Sequence, residues 1–524
     1  MAKKSKLQQY VLLPPHGLRS AASETPHSAG AFFLSLAATE PRSSRVELAD
    51  GRSIRVVDSI HADGAKLVEM TPEMISNMRA QVPGVRIVPV VYYYPAIAPK
   101  LKVVTRPKPV RSRKRKLPTT GPVKRPMVLD APAAAIFAPS ITITIASQAD
   151  SAPVSGAQVV AFTDFEKRVG DQGTTNRQGV VKLQLGRATA KLDRLYVYPQ
   201  DSYWGRLESG LTITSGQVIP LDPIAFEYVD CLRCFYGSAA DTAGAGVTVG
   251  VLDSGIDLKH PDLSIQGGEN TVTGEKPGDF GDNGGGHGTH VAGIIGAHGA
   301  SGKGIRGVAP GVTLRSYRVF GKGSDQATNF AIAKAIDRAV ADSCDLINLS
   351  LGGGPKDEAT SSAIADARAK GTLVIIAAGN DARAPVNYPA ADPRAIAVSA
   401  MGRVGTFPAG AVQTGDVAAP YGTDKKNFIA DFSNIGPEIA LTSPGVGIVS
   451  TVPGGYAVMD GTSMACPAIT GAAARILSMP ANASILAMPR GQARSDAMAR
   501  ILLQCAQRLG FGVEYEGQGL PQPN

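Results

Sequence analysis

From about Gly246 onward the chain alternates short apolar runs with helical stretches. That pattern folds as a doubly wound, mainly parallel sheet with helices on both faces, an α/β domain. The runs Val247–Leu252, Leu314–Phe320, Leu346–Leu351, Thr372–Ala377 and Ala395–Val398 are the expected strands. In such sheets chemistry gathers where the chain leaves the carboxyl ends of the strands. Asp253, the stretch from Ser350 to Gly353, and Asn380 all fall at those ends.

Three segments carry a nucleophilic constellation. Val251-Leu252-Asp253-Ser254-Gly255 brings an aspartate to a strand end. His287-Gly288-Thr289-His290-Val291-Ala292-Gly293 opens a helix of small apolar residues with a histidine at its edge. Gly461-Thr462-Ser463-Met464-Ala465-Cys466-Pro467 delivers a serine to a helix start, beside backbone N–H donors. Ser463 would attack, His287 would serve as base and then acid, and Asp253 would fix the imidazole tautomer. Pro467 is expected in the first helical turn, where a missing N–H costs little. His290 lacks the further ligands of a zinc site, and no second histidine motif supports Cys466 as a nucleophile.

With the chain order Asp, His, Ser, these motifs resemble the subtilisin-like serine proteases (subtilases) over roughly residues 230–515. The resemblance implies that Asn380 and the Ser463 N–H form an oxyanion hole. It implies that Ser350, Leu351, Gly352 and Gly353 form a strand on which a peptide substrate pairs. His290 is structural by the same comparison. The blocks Phe432–Gly436 and Ser443–Val446 continue the match, but Gly402–Phe428 between them is longer than usual. A surface loop over one side of the cleft is expected there. Asp262 matches one calcium-ligand position of the family, yet the loop His298–Gly304 lacks the Asn and Asp oxygens of a tight site. No metal or other cofactor is expected. Asp381 stands at the rim of the expected first pocket and suggests a mild preference for Lys or Arg.

The remaining sequence divides by pattern. Residues 1–43, with Pro, Ser, Ala and Gly and no clear period, are expected to be a flexible arm. Residues 44–98 alternate strand and helix signals, with Thr71 as N-cap, Pro72 at the first helical position, and Met74, Ile75 and Met78 on one face. This small α+β module resembles the inhibitory propeptide of the subtilases, which lays its tail in the substrate cleft. Here the tail would enter from Tyr92-Tyr93-Tyr94. Residues 99–129 form a Pro-rich basic linker, with a candidate processing site at Arg111–Lys116. Residues 130–226 carry short β-branched runs between turn signals and are expected to form a β-sandwich, similar to prealbumin-like accessory domains. Residues 227–524 are the expected catalytic domain.

Eleven Lys and Arg residues and no acidic residue lie between Lys100 and Arg125, so the formal charge of +9 belongs to that one segment. Aromatic platforms and groove-reading motifs are missing, and no nucleic-acid partner is expected. The five cysteines do not make a disulfide framework. Neither an apolar signal core nor a run long enough to span a membrane is seen, so a cytoplasmic location and no membrane partner are expected. The expected function is a serine endopeptidase made as an autoinhibited precursor, acting on protein or peptide substrates, with the β-sandwich as a docking module for a protein partner. The alternatives are a peptide ligase or macrocyclase using the same acyl-enzyme, with Gly402–Phe428 as a lid, and a non-catalytic docking scaffold. The intact set Asp253, His287, Asn380 and Ser463 stands against the last.

Overall fold

The computed structural model describes residues 6–20, 29–37, 44–47, 53–106 and 140–523. The chain divides into two compact units. One comprises residues 1–99, 225–407 and 416–524; the other comprises residues 100–224 and 408–415. Among the described residues no helix is long and apolar enough to cross a membrane.

The first unit is built on a mainly parallel sheet whose strands lie in the order Ile265–Asn270, Thr313–Arg318, Thr248–Asp253, Leu346–Leu349, Leu373–Ala377 and Ile396–Arg403. Asn427–Ile429 closes the edge antiparallel, and Ile439–Pro444 pairs parallel with Ile396–Arg403. Thr248–Asp253 comes first of these in the chain yet lies inside the sheet, with later strands on both sides. The order reverses at this strand, and a crevice opens at its carboxyl end. Buried residues run unbroken along Leu346–Leu349 and Leu373–Ala377, as expected for strands covered on both faces. The helices His287–Gly296 and Thr462–Leu477 are almost wholly buried, so their first turns are held by tight packing on all sides.

Residues 6–95 of the same unit carry a five-stranded antiparallel sheet, ordered Ser44–Glu47, Ser53–Ser59, Lys66–Met70, Gln8–Leu13 and Arg86–Pro89. The expected flexible arm is corrected here, because Gln8–Leu13 pairs along its length with Lys66–Met70 on one side and Arg86–Pro89 on the other. Successive side chains of a strand face opposite ways. Tyr10 and Leu12 join Phe33, Leu36, Met70 and Met74 in the module's own core, while Val11 and Leu13 join a core containing Phe330, Ile336 and Ile364 of the α/β domain. A strand buried on both faces shows no polar alternation. The helix Pro72–Gln81 starts as expected after Thr71, although the Thr71 side chain makes no cap hydrogen bond. Lys334 pairs with Asp58 at 2.9 Å, and Asp337 with Arg19 and His61.

The second unit is a β-sandwich. Its four-stranded sheet runs Arg206–Ser209, Arg194–Tyr198, Gln158–Asp164, Val169–Thr174, and its three-stranded sheet Val180–Leu183, Ile141–Ser147, Val218–Leu221. Ile141, Ile143, Ile145, Val159, Ala161, Leu195 and Val197 fill the space between. Residues 100–106, expected to be linker, belong to this unit. The Val103 amide donates to Gln172 Oε1 at 2.9 Å and Arg106 pairs with Asp171 at 2.8 Å. The remainder of the basic stretch, with the candidate processing site Arg111–Lys116, lies outside the described residues. The expected loop Gly402–Phe428 is corrected as well. Its ends are strands, and Pro408–Gly415 packs with the sandwich, where the Leu207 amide donates to the Gly410 carbonyl at 2.7 Å.

Candidate active site

Asp253 ends its strand fully buried, and its Oδ1 accepts from the Ser254 amide at 2.7 Å. His287 opens its helix with Nδ1 2.7 Å from the same oxygen. A carboxylate only accepts, so Nδ1 carries a proton, and in the neutral ring the lone pair then lies on Nε2. That Nε2 is buried without a hydrogen-bond partner, as is Asp253 Oδ2. The next amide of the helix, Gly288 N–H, donates to Ser254 Oγ at 2.9 Å and holds the turn against the strand end.

Ser463 is the second residue of the helix Thr462–Leu477 and is fully buried. Its hydroxyl donates to the Ser350 carbonyl at 3.0 Å. Pro467 sits in the second helical turn, not the first, and is the residue whose amide would have bonded the Ser463 carbonyl. Ser350 compensates: its hydroxyl donates to that carbonyl at 2.9 Å, and itself accepts from Asn348 Nδ2 at 3.0 Å. Asn348 Oδ1 in turn accepts from Thr470 Oγ1 and Cys466 Sγ. This buried polar network locks the first turns of the helix. Asn380 Oδ1 accepts from the Thr462 amide at 2.9 Å, and its Nδ2 is buried without a hydrogen-bond partner.

The tail of the N-terminal module runs through this site. Tyr92–Pro95 forms a strand between two short ones, pairing antiparallel with Leu351–Gly352 on one side and Ala327–Thr328 on the other. The Ala96 amide donates to the Ser350 carbonyl at 3.1 Å, and the Ala96 carbonyl accepts from the Ser463 amide at 3.0 Å. Beyond it, the Ala98 amide donates to the Asp460 carbonyl at 2.8 Å. Gly461, at φ +149°, makes room: a Cβ there would stand 2.6 Å from the Ala96 carbonyl oxygen. Ser350, Leu351 and Gly352 thus all meet the tail by backbone or strand pairing. Gly353 lies just past the paired residues with φ +87°.

Sequence reasoning placed the tail's entry at Tyr92–Tyr94 but missed Ala96, the strand Ala327–Thr328, and the pocket under Tyr93. The pleat exposes Tyr92 and Tyr94 and buries Tyr93 completely. The Gly-Gly-Gly run was the available signal, because the third glycine, Gly354, would bring a Cβ within 2.5 Å of the Tyr93 ring.

Other candidates are occupied elsewhere. Cys466 is fully buried, and burial pushes its thiol well above the ordinary range. Asp381 Oδ2 accepts from Asn387 and Asn434 amides at 2.8 and 3.0 Å. His290 is fully buried with Nε2 3.2 Å from the carbonyls of Ile448 and Ala457, and burial holds its imidazole down at about 3. Asp262 Oδ2 accepts from the Ile305 amide and the Tyr456 hydroxyl. Among the described residues no group of three or more His, Cys, Asp or Glu could hold a metal ion.

The chain is similar in sequence to several known proteins over its α/β part. Over 242 residues, 45% of this chain, it is 39% identical to Subtilisin NAT of Bacillus subtilis subsp. natto, covering 56% of that protein. Subtilisin DY of Bacillus licheniformis is 38% identical over 240 residues, 45% of this chain and 78% of its own length. Subtilisin Savinase of Lederbergia lenta is 38% identical over 234 residues, 44% of this chain and 77% of its own length. The match therefore spans little more than half the length of the first of these relatives. The model of the subtilase family, Peptidase S8, matches residues 244–519, more than half of the chain, and the chain belongs to that family.

Proposed function

We propose that the chain is a serine endopeptidase held as a self-inhibited precursor, and that the Ala96–Ile97 bond is the first it cuts. One observation carries this: the Ala96 carbonyl accepts from the Ser463 amide while the chain on both sides is held, by Ser350 before the bond and Asp460 after it. An amide poised on the nucleophile's own N–H is a substrate in place.

Cleavage begins with rotation of the Ser463 hydroxyl from the Ser350 carbonyl toward the unpartnered His287 Nε2. His287 takes the proton as Oγ attacks the Ala96 carbonyl carbon, and Asp253 stabilises the imidazolium. The oxyanion is met by the Ser463 amide and Asn380 Nδ2. His287 then gives its proton to the Ile97 nitrogen, which leaves with the downstream chain. Water, activated by the same histidine, releases the Ala96 carboxylate. Other peptides enter once the tail dissociates.

The small Ala96 makes no use of Asp381, so the chain's own bond offers no support for a basic preference. The test is the intact mass of purified wild type beside Ser463→Ala. Cleavage of wild type after Ala96, with the variant remaining full length, is expected. Cleavage that persists in Ser463→Ala would overturn the assignment of the nucleophile.

A further inference from the structure

We propose that the pocket holding Tyr93 selects tyrosine over phenylalanine at the fourth residue before the bond that is cut, and that Asp357 reads the phenol hydroxyl. The proposal rests on the peptidase function above and adds what that peptidase prefers. With Ala96 as the residue before the cut, Tyr93 is the fourth. The Tyr93 hydroxyl donates to Asp357 Oδ2 at 2.5 Å and lies 2.9 Å from the Pro355 carbonyl. Burial, and then the neighbouring Asp357, push this phenol far above its ordinary range, so it remains a donor at any working pH.

Asp357 is built into the pocket independently of its occupant. It is the N-cap of the helix Glu358–Ala369, with Oδ1 accepting from the Ala359 and Thr360 amides at 2.9 Å each and from Asn329 Nδ2 at 3.2 Å. Among the described residues the hydrogen bond to Oδ2 comes from Tyr93. The residue is 5% exposed, so water cannot readily replace a missing hydroxyl. A phenylalanine would fill the same space above Gly354 and leave that oxygen buried without a partner. Sites built to bond a hydroxyl reject the analogue lacking it far more strongly than apolar pockets reject a size change.

The experiment compares kcat/KM of the self-processed enzyme for acetyl-Tyr-Tyr-Pro-Ala-p-nitroanilide and acetyl-Phe-Tyr-Pro-Ala-p-nitroanilide. A preference of roughly tenfold to a hundredfold for tyrosine is expected. Asp357→Ser keeps a cap-competent side chain too short to reach the phenol, and it should bring the ratio to within about threefold. Tyr93→Phe in the full chain should slow self-cleavage by a factor similar to the wild-type peptide preference, a measure that does not depend on Asp357→Ser folding. Equal cleavage of both peptides by wild type, or an unchanged ratio in Asp357→Ser, would overturn the proposal while leaving the peptidase function standing. Failure of wild type to cut either peptide or itself would overturn that function, and this inference with it.

Discussion

The Ser350 hydroxyl donates to the Ser463 carbonyl at 2.9 Å, in the position that an amide at residue 467 would have occupied. A proline in the second turn of a buried helix thus leaves an acceptor, and a neighbouring strand end supplies the donor. Ser350→Ala should destabilise the protein by about 1–3 kcal/mol through that unsatisfied carbonyl. Pro467→Ala restores the amide, so Ser350→Ala should cost clearly less in that background. Urea unfolding of the four proteins, all carrying Ser463→Ala to prevent cleavage, checks this. Strict additivity would show that the two residues are not coupled.

Asn380→Ala should lower stability by about 1–3 kcal/mol, because the buried Thr462 amide loses its acceptor, and should slow self-cleavage roughly tenfold to a hundredfold, the scale of one hydrogen bond to a charged group. Timed intact-mass measurements of fresh protein would give the rate. A variant as fast as wild type would remove Asn380 from the oxyanion site.

His290 gives a pH dependence whose sign is fixed. Its imidazole is held at about 3 in the folded chain, first by burial and then by the nearby His287, against an unfolded value of about 6.5. The unfolded chain therefore binds the extra proton between those values. This contribution to stability is complete above about pH 6.5 and is lost as the pH falls toward 3, by about 1.4 kcal/mol per unit. Denaturant unfolding of Ser463→Ala between pH 7 and 5 should show that slope, and His290→Gln should flatten it. An equal slope in the two proteins would assign the loss to other groups.

The thiols should separate by exposure. Cys234 is exposed, Cys505 is intermediate, and Cys231, Cys344 and Cys466 are buried with their thiols pushed up by burial. Brief iodoacetamide treatment of the native protein should label Cys234 first, and label Cys466 only after unfolding. Peptide mapping that found Cys466 alkylated early would mean that the helix under Ser463 opens readily.

The sequence disclosed the α/β sheet because strands buried on both faces are continuous apolar runs, as at Leu346–Leu349 and Leu373–Ala377. It singled out Asp253 by its place at the end of an apolar run, and His287 and Ser463 by the small residues around them, and the structure brings Asp253 and His287 to 2.7 Å. Gln8–Leu13 stayed hidden: its polar start and the Pro14–Pro15 that follows read as loop, and the two strands it pairs with both lie far along the chain. Asp357 stayed hidden for a different reason. A cap aspartate looks the same whether or not its second oxygen has another task, and only the arrival of Tyr93 from 264 residues away reveals one.

If the slot between Leu351–Gly352 and Ala327–Thr328 that holds Tyr92–Pro95 receives substrates as proposed, it limits their form. Adjacent strands lie about 5 Å apart, whereas a helix with its side chains is about 10 Å across. A slot one strand wide admits only chain that is already extended or can become so. An enzyme built this way would sense the local folding of its targets, sparing compact proteins and cutting them where a segment has come undone.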